Sequence, residues 1–211
     1  MFKAIFWDND GVLMETEHLY YRANAEALAR CGIELTLEMF RDISLGRGES
    51  VLALAGAAET GIRPWRDDRY HELLGYEAAV ILGVHDTLSR LHGQLPMAIV
   101  TSCRRLHFEQ MHRQSGLTGY FDFILTREDY RNSKPDPEPY LTACSRAGLQ
   151  PGECLAVEDS PRGVQSAAAA GLAVAAIPGE LNRGGDFTSA GWLLENVQQV
   201  PGLLVTAAER N

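Results

Sequence analysis

The sequence has very little lysine and cysteine, and its cysteines form no recognisable motif. Of its 19 basic residues only Lys3 and Lys134 are lysines. The four cysteines are scattered, with no C-x-x-C pair, and the six histidines include no i,i+4 pair and no H-E-x-x-H motif. These absences argue against a zinc enzyme and favour reduced thiols in or near the core.

Long hydrophobic runs and excess positive charge are also missing. No stretch approaches the ~20 apolar residues that a membrane span requires, and no charged-then-apolar leader precedes Phe2. The net charge of −9 argues against a broad nucleic-acid-binding surface. We therefore expect a cytoplasmic protein that binds neither membranes nor nucleic acids, as a monomer or a weak homodimer.

What is present is a regular alternation of short apolar segments and helical segments after about residue 85. With 211 residues, 45% of them hydrophobic, the chain can bury a sizeable core. The alternation predicts an α/β fold with a Rossmann-like, doubly wound parallel sheet and right-handed crossovers. The predicted strands after this point are 97–100, 121–125, 155–157 and a final strand at 173–177, and the predicted helices are 85–91, 104–115, 137–147 and 161–170.

The first strand, residues 2–7, is separated from the others by a long helical block. Residues 14–81 contain no convincing strand, and their apolar spacing predicts helices at 15–30, 37–43, 49–57 and 64–80. We therefore expect a catalytic core of residues 1–13 and 83–211 with an inserted all-α cap subdomain at 14–82. A cap on two hinges can close over a substrate and exclude water.

Pairs of acidic residues follow two of the predicted strands. Asp8 and Asp10 come directly after the first strand, and Glu158 and Asp159 follow strand 155–157. Open α/β sheets bind ligands at this edge. Two unit charges ~4 Å apart repel by ~4 kcal/mol at an effective dielectric of ~20. A cluster of this kind needs a cation, and all-oxygen ligands suit Mg²⁺.

Four segments together resemble the signatures of the haloacid dehalogenase superfamily of phosphotransferases, in its helical-cap branch. The segments keep the order and spacing of that family, and the resemblance covers nearly the whole chain. They read F-W-D-N-D-G-V-L at 6–13, I-V-T-S at 99–102, S-K-P-D-P at 133–137 and V-E-D-S-P-R-G at 157–163.

The resemblance implies roles for the four acidic residues. Asp8 would be the nucleophile that forms an aspartyl-phosphate, and Asp10 the general acid and base. Mg²⁺ would be held by Asp8, the backbone carbonyl of Asp10 and Asp159, with Glu158 as a direct or water-mediated ligand. The metal would let an anionic nucleophile approach an anionic substrate.

The resemblance also implies phosphate-binding residues. Thr101 would hydrogen-bond a phosphoryl oxygen, and the backbone N–H groups of Asn9 and Ser102 would complete the cradle. Lys134 would hold the nucleophile and balance the charge of the transition state. In the cap, Arg47 lies in a Gly/Arg segment that resembles the family's substrate loop and is the candidate substrate contact there.

These roles predict a Mg²⁺-dependent phosphatase acting on a small phosphorylated metabolite, either a sugar phosphate or a phosphoglycolate-like acid. Dehalogenases of the superfamily lack the second carboxylate, so Asp10 favours phosphoryl chemistry. The phosphonate-cleaving branch needs a cap lysine, and this cap contains none.

Two alternatives stay open. The motifs are also similar to those of β-phosphoglucomutase, but an ungapped alignment places Tyr20 where mutases carry a hinge histidine, and the mutases' cap lysines are missing. His18 could substitute if the register slips. The other alternative is a binding protein of the same fold that has lost its chemistry, although no catalytic position is visibly damaged.

Overall fold

The centre of the protein is a six-stranded parallel sheet. The structure, a computed structural model, describes the backbone of residues 2–208 and the side chains of residues 2–204. The strand order is β5-β4-β1-β6-β7-β8, with a separate antiparallel pair formed by β2 and β3. The strands are β1 Ala4–Trp7, β2 Met14–Glu15, β3 Ala79–Val80, β4 Met97–Val100, β5 Phe123–Leu125, β6 Cys154–Glu158, β7 Ala173–Ala176 and β8 Trp192–Leu193.

β1 lies between β4 and β6, and all three strands are buried along their whole length. Ile5 and Trp7 pack into the core on one face of the sheet, whereas Ala4 and Phe6 pack into the core on the other. Because both faces are covered, these strands read as continuous apolar runs and show no polar alternation.

Helices cover both faces of the sheet and form the insertion. They are α1 Glu17–Ala29, α2 Leu37–Phe40, α3 Glu59–Glu77, α4 Val84–Leu91, α5 Arg105–His112, α6 Glu138–Ala147, α7 Pro161–Ala169 and α8 Val200–Ala208. At the start of α7 the Ser160 hydroxyl accepts a hydrogen bond from the Gly163 N–H at 3.2 Å, and Pro161 occupies the first helical position. No helix among the described residues is long and apolar enough to cross a bilayer.

The helical insertion lies between β2 and β3 and has an apolar centre of its own, which includes Leu28, Phe40 and Leu52. Its middle section continues from α2 into a π-helix, Arg41–Gly46, and then a 3₁₀ segment, Val51–Ala58. An α/β core with an inserted helical cap is therefore confirmed. The bounds 14–82 stay a prediction, and residues 1 and 209–211 of the predicted core lie outside the described range.

Several element boundaries differ from the sequence prediction. The block expected to contain no strand begins and ends with β2 and β3, where Met14 pairs with Val80; two-residue strands give no periodicity to detect. The helix expected at 64–80 already begins at Glu59 and ends at Glu77, with Pro64 in its first turns. The helix expected at 49–57 is kinked, because Gly56 has φ = 54°.

The sheet also extends further than expected. The strand at 173–177 was predicted to be the last, but β8 pairs with β7 in parallel. It contains only Trp192 and Leu193, too few residues to show a strand pattern. A final helix, α8, then packs near α4.

Candidate active site

Lys134 joins the ends of three neighbouring strands. Its Nζ donates to Asp8 Oδ1 at 2.8 Å, to the Val100 carbonyl at 2.8 Å and to Glu158 Oε1 at 2.6 Å. Asp8 continues β1 beyond its last strand residue, since its N–H donates to the Val157 carbonyl at 2.9 Å. The lysine therefore fixes one oxygen of the predicted nucleophile at the carboxyl edge of the sheet.

A cluster of three carboxylates surrounds this point. One ligand atom each from Asp8, Glu158 and Asp159 lies within 4.8 Å of the others, and all three residues are buried. Burial raises the pKa of Asp8 and Asp159 above their ordinary values and that of Glu158 to about 7. Burial acts in the opposite sense on Lys134, but Asp8 and Glu158 hold its pKa well above the usual value.

The cluster fits a divalent cation. A single lysine cannot neutralise three carboxylates, and Glu158 Oε2 is buried without a hydrogen-bond partner. Unpaired buried charge of this kind is strongly disfavoured unless a ligand compensates it. Gly11 lets the chain pass close to this site, because it has φ = +79° and a Cβ there would overlap the Asp159 carboxylate.

Asp10 is held by three donors beside the cluster. The Thr16 hydroxyl donates to its Oδ1 at 2.5 Å, and the Thr101 hydroxyl and the Asn9 amide donate to its Oδ2, both at 3.2 Å. Thr16 immediately precedes α1 but does not cap that helix with its side chain. The start of the cap thus contacts the predicted acid/base residue.

Asn9 lies behind the cavity wall, with its side chain fully buried. Its Oδ1 accepts a hydrogen bond from His112 Nε2 at 2.7 Å, and its amide also contacts Met111 Sδ at 3.0 Å. Burial lowers the pKa of His112 to about 4, so the imidazole is neutral at neutral pH. His112 therefore positions the Asn9 segment; nothing in the sequence around it signals this contact.

The predicted phosphate loop follows β4. Thr101 and Ser102 both line the cavity, and the Thr101 hydroxyl accepts from the Cys103 N–H at 2.9 Å. The Tyr130 hydroxyl donates to the Thr101 carbonyl at 2.7 Å, and the Ser133 hydroxyl donates to that of Ser102 at 3.1 Å. These bonds tie the loop after β4 to the segment that carries Lys134.

Two residues at the carboxylate cluster were not found from the sequence. The Asn182 amide donates to Asp159 Oδ2 at 2.7 Å and to Glu17 Oε1 at 2.9 Å. Burial raises the pKa of Glu17 to about 7, although the Asn182 bond opposes the shift. Asn182 follows β7, the neighbour of β6, so the rule that identified the other strand-end residues applies to it as well.

A cavity of about 390 Å³ lies between the sheet edge and the helical insertion. From the core it is lined by Asp8, Asp10, Thr101, Ser102, Lys134 and Asp159, among others. Tyr20, Arg63, Arg66 and Tyr70 contribute from the cap. Of the remaining predicted core residues, Asn9 and Glu158 lie behind this wall and hold the residues that form it.

Arg47 is the predicted site residue that the structure does not bring to the cavity. Its guanidinium pairs with Asp42 Oδ2 at 3.0 Å and with Glu49 Oε2 at 3.1 Å, and 51% of the side chain is exposed. Its neighbours Gly48 and Glu49 do line the cavity. Two carboxylates of its own segment therefore hold Arg47 away from the place where the sequence predicted a substrate contact.

Comparison with known proteins identifies the family. The family model for haloacid dehalogenase-like hydrolases matches residues 5–177. The chain belongs to this family. The resemblance, the fold class and the assignment to a hydrolase family made from the sequence are therefore confirmed.

Relatives of this haloacid dehalogenase-like chain include named phosphatases. Protein CbbY of Rhodobacter capsulatus is 30% identical over 92% of this chain and 93% of its own length. The phosphoglycolate phosphatase of Nitrosospira multiformis is 30% identical over 87% of this chain and 86% of its own. These matches span most of the length of both relatives.

Solved structures show the same architecture. CbbY of Rhodobacter sphaeroides, in complex with xylulose-(1,5)bisphosphate, has a TM-score of 0.82 at 26% identity and covers 94% of this chain and 96% of its own. A putative β-phosphoglucomutase of Thermotoga maritima has a TM-score of 0.77 at 25% identity, with 97% and 99% covered. Both structures thus share the fold of this chain.

Proposed function

We propose that this hydrolase is a Mg²⁺-dependent phosphatase that releases phosphate from a small phosphorylated metabolite, either a sugar phosphate or a phosphoglycolate-like acid, through an aspartyl-phosphate. The observation that carries the proposal is the 2.8 Å bond from Lys134 to Asp8 in a cavity that Asp10 also lines. A carboxylate held in this way beside a second carboxyl group supports the role of Asp8 as the nucleophile. Relatives named as phosphatases support it.

In the first step an Asp8 oxygen attacks phosphorus and the bond from phosphorus to the ester oxygen breaks. Asp10 gives its proton to that departing oxygen, so the product leaves with a neutral hydroxyl group. The Lys134 ammonium stabilises the negative charge around the phosphoryl group. Thr101, which contacts Asp10 at 3.2 Å, is close enough to donate to a phosphoryl oxygen in the same cavity.

In the second step Asp10, now a carboxylate, takes a proton from water as that water attacks the phosphorus. The bond from phosphorus to Asp8 breaks, which regenerates the Asp8 carboxylate and releases inorganic phosphate. Asp10 ends the cycle with the proton that it began with. The same residue thus acts as acid and then as base.

Asp8, the Asp10 carbonyl and Asp159 are the residues that would hold Mg²⁺, with Glu158 beside them. When bound, the metal neutralises charge on the phosphoryl group and on the nucleophile. Glu158 has a further role in this chain, because its Oε1 also accepts from the Tyr140 hydroxyl at 2.5 Å. It therefore fixes Lys134 and Tyr140 on the far side of the cluster.

The mutase alternative receives less support from the position of His18. That histidine is exposed and is absent from the cavity wall, whereas Tyr20 lines the cavity and accepts a hydrogen bond from Arg66 at 2.7 Å. A histidine that could take part in phosphotransfer to a sugar is thus replaced by a tyrosine held by an arginine. We therefore favour transfer to water.

Phosphate release tests the proposal. We expect Mg²⁺-dependent release from p-nitrophenyl phosphate, phosphoglycolate or sugar phosphates, and a loss of more than ~1,000-fold in Asp8→Asn. β-Glucose 1-phosphate should yield free phosphate. Glucose 6-phosphate without free phosphate would instead identify a mutase, and no product from any substrate would contradict both enzymatic functions and favour a binding protein.

We also retain the cap bounds 14–82, a cytoplasmic location and a monomer or weak homodimer as proposals. Limited proteolysis tests the first, because cleavage should concentrate near the β2 and β3 hinges. Light scattering tests the oligomeric state.

A further inference from the structure

Arg162, the second residue of α7, is an unusual member of the cavity wall. Four arginines line the cavity: Arg63, Arg66, Arg104 and Arg162. Arg63 pairs with Glu59, while Arg66 and Arg104 both pair with Asp67, at 2.9 and 3.0 Å. Among the residues that the structure describes, Arg162 forms no ion pair.

The surroundings of Arg162 hold its guanidinium in place without neutralising it. One amino group donates to the backbone carbonyl of Lys134 and the other lies 3.5 Å from the carbonyl of Ser44. Its Nε is buried and has no hydrogen-bond partner. An arginine has five N–H donors, so three remain after these two contacts. Burial lowers the pKa of Arg162; the charge of Glu158 opposes this shift without reversing it, and no carboxylate among the described residues lies close enough to form an ion pair with the guanidinium.

The cap leaves room for this guanidinium. Gly48 has φ = +70°, and a Cβ at this position would overlap the Arg162 guanidinium. Arg162 also lies near the carboxylate cluster, because the carbonyl that it binds belongs to Lys134, whose side chain contacts Asp8. The contact with the Ser44 carbonyl places the guanidinium at the boundary of core and cap.

We propose that Arg162 is a specificity-determining residue that binds a second anionic group of the substrate. The proposal rests on the proposed phosphatase function and narrows its substrates. Favoured substrates carry a carboxylate or a second phosphate besides the phosphate that is removed; neutral sugars with a single phosphate are poorer. A guanidinium with free donors recognises both kinds of oxyanion through paired, charge-assisted hydrogen bonds.

The size of the cavity agrees with such a substrate. About 390 Å³ accommodates a small metabolite, near the lower end of typical ligand pockets. The other three arginines already have carboxylate partners, so a substrate anion would have to displace an existing pair to bind them. Arg162 can bind an anion without breaking an ion pair.

The test compares substrates with and without a second anion in Arg162→Gln. We expect kcat/KM for phosphoglycolate and for a sugar bisphosphate to fall by ~10- to 100-fold, mostly through KM. For p-nitrophenyl phosphate, which has no second anion, the change should be less than ~3-fold. Arg162→Lys keeps the positive charge but loses the planar, paired donors of the guanidinium. Its preference for two-anion substrates should lie between those of the unmodified enzyme and Arg162→Gln.

Arg41→Gln is the matched control. Arg41 also donates from the cap to a core backbone carbonyl, that of Glu180 at 3.4 Å, but it does not line the cavity. If Arg162 merely joined cap and core, both variants would slow all substrates alike. Equal losses for one-anion and two-anion substrates in Arg162→Gln, or no preference for two-anion substrates in the unmodified enzyme, would overturn the proposal.

A binding measurement separates this proposal from the proposed chemistry. Phosphoglycolate and a sugar bisphosphate are titrated calorimetrically into Asp8→Asn and into Asp8→Asn combined with Arg162→Gln, both with Mg²⁺. A weaker affinity of the double variant, by ~10-fold or more, supports the proposal even if no turnover is found. Equal affinities would overturn it. The ligand whose affinity falls more when Arg162→Gln is added shows whether Arg162 prefers a carboxylate or a phosphate as the second anionic group.

Discussion

The core and the cap line the same cavity but balance their charges differently. In the cap, Arg63 pairs with Glu59, and Arg66 pairs with Asp67 at 2.9 Å. Each cap arginine of the wall thus has a carboxylate of its own helix beside it. These pairs leave no unpaired positive charge on the two cap arginines for a ligand to neutralise.

On the core side of the cavity, three carboxylates cluster around a single ammonium group, that of Lys134. Lys134 serves both Asp8 and Glu158, and the described side-chain partner of Asp159 is an amide, that of Asn182. Unneutralised buried charge is costly, so it persists where a ligand compensates it. In this cavity, charged groups without a partner of opposite charge indicate where a ligand would bind. The core carboxylates would bind a cation, and Arg162 would bind an anion.

Removing the Lys134 ammonium group should have the largest effect on the core side of the cavity. Lys134→Met leaves Asp8 and Glu158 buried without a positive partner, so we expect a loss of ~3–5 kcal/mol in the free energy of unfolding without Mg²⁺. Phosphate release should also fall by more than ~100-fold. Urea denaturation and the phosphate assay measure the two effects.

The matched control is the chain's other lysine. Lys3→Met removes an exposed pair with Glu153, with 62% of the lysine side chain accessible, and should cost at most ~1 kcal/mol. Similar losses in both lysine variants would show that the core charges are not confined to a buried cluster.

The next test uses pH. Burial raises the pKa of Glu17 from 4.5 to about 7, so the folded metal-free protein binds more protons than the unfolded chain between these values. Stability should therefore fall as pH rises through this range. Glu17→Gln removes that slope and should be more stable than the unmodified protein by about 3 kcal/mol at pH 8, with little difference at pH 4.5.

Denaturation in chelator at pH 4.5, 6 and 8 measures this difference. Glu15→Gln serves as control, because Glu15 is an exposed acid just before the same helix. A stability gap that does not change with pH would contradict the raised pKa of Glu17.

The third test measures how much Mg²⁺ stabilises the folded protein. At 100 times its dissociation constant, Mg²⁺ should stabilise the folded protein by ~2.7 kcal/mol. Asp159→Asn should lose most of this gain, because it removes one carboxylate of the cluster. Thermal unfolding with and without Mg²⁺ provides the readout, with Asp67→Asn, a cap carboxylate paired with arginines, as the control that keeps the gain.

The smallest expected effect concerns the cap's fit over Arg162. Gly48→Ala forces an alanine into φ = +70° and against the guanidinium, which should cost ~1–2 kcal/mol in unfolding free energy. Gly61→Ala, in the open part of α3, should stabilise by up to ~1 kcal/mol. Opposite signs for these two substitutions support the close contact; equal signs argue against it.

The core part of the site was predictable because it follows a rule of topology. Asp8, Thr101 and Lys134 come from loops at the carboxyl edge of the sheet, and their motifs are local in sequence. Once the alternation of strands and helices predicts a parallel sheet, these residues must meet. Asn182 obeys the same rule, but a single asparagine in a glycine-rich loop carries no motif.

The cap part could not be predicted in this way. The Gly/Arg segment predicts a substrate contact for Arg47, but Asp42 and Glu49 compete for its guanidinium, and only folding decides that competition. Arg162 lies inside a recognised motif, yet its importance depends on contacts with carbonyls 28 and 118 residues away in sequence. Contacts between residues so far apart produce no pattern in the sequence.

The order of strands in the sheet has a consequence for synthesis on the ribosome. β1 emerges first, but its neighbours are β4, which begins at Met97, and β6, which ends at Glu158. β1, which leads to Asp8, therefore has no neighbour until about half of the chain has been made, and its second neighbour is complete only after about three quarters. A nascent chain that stops before Asp159 lacks the complete carboxylate cluster, so under the proposed mechanism it would not yet hydrolyse a phosphate ester.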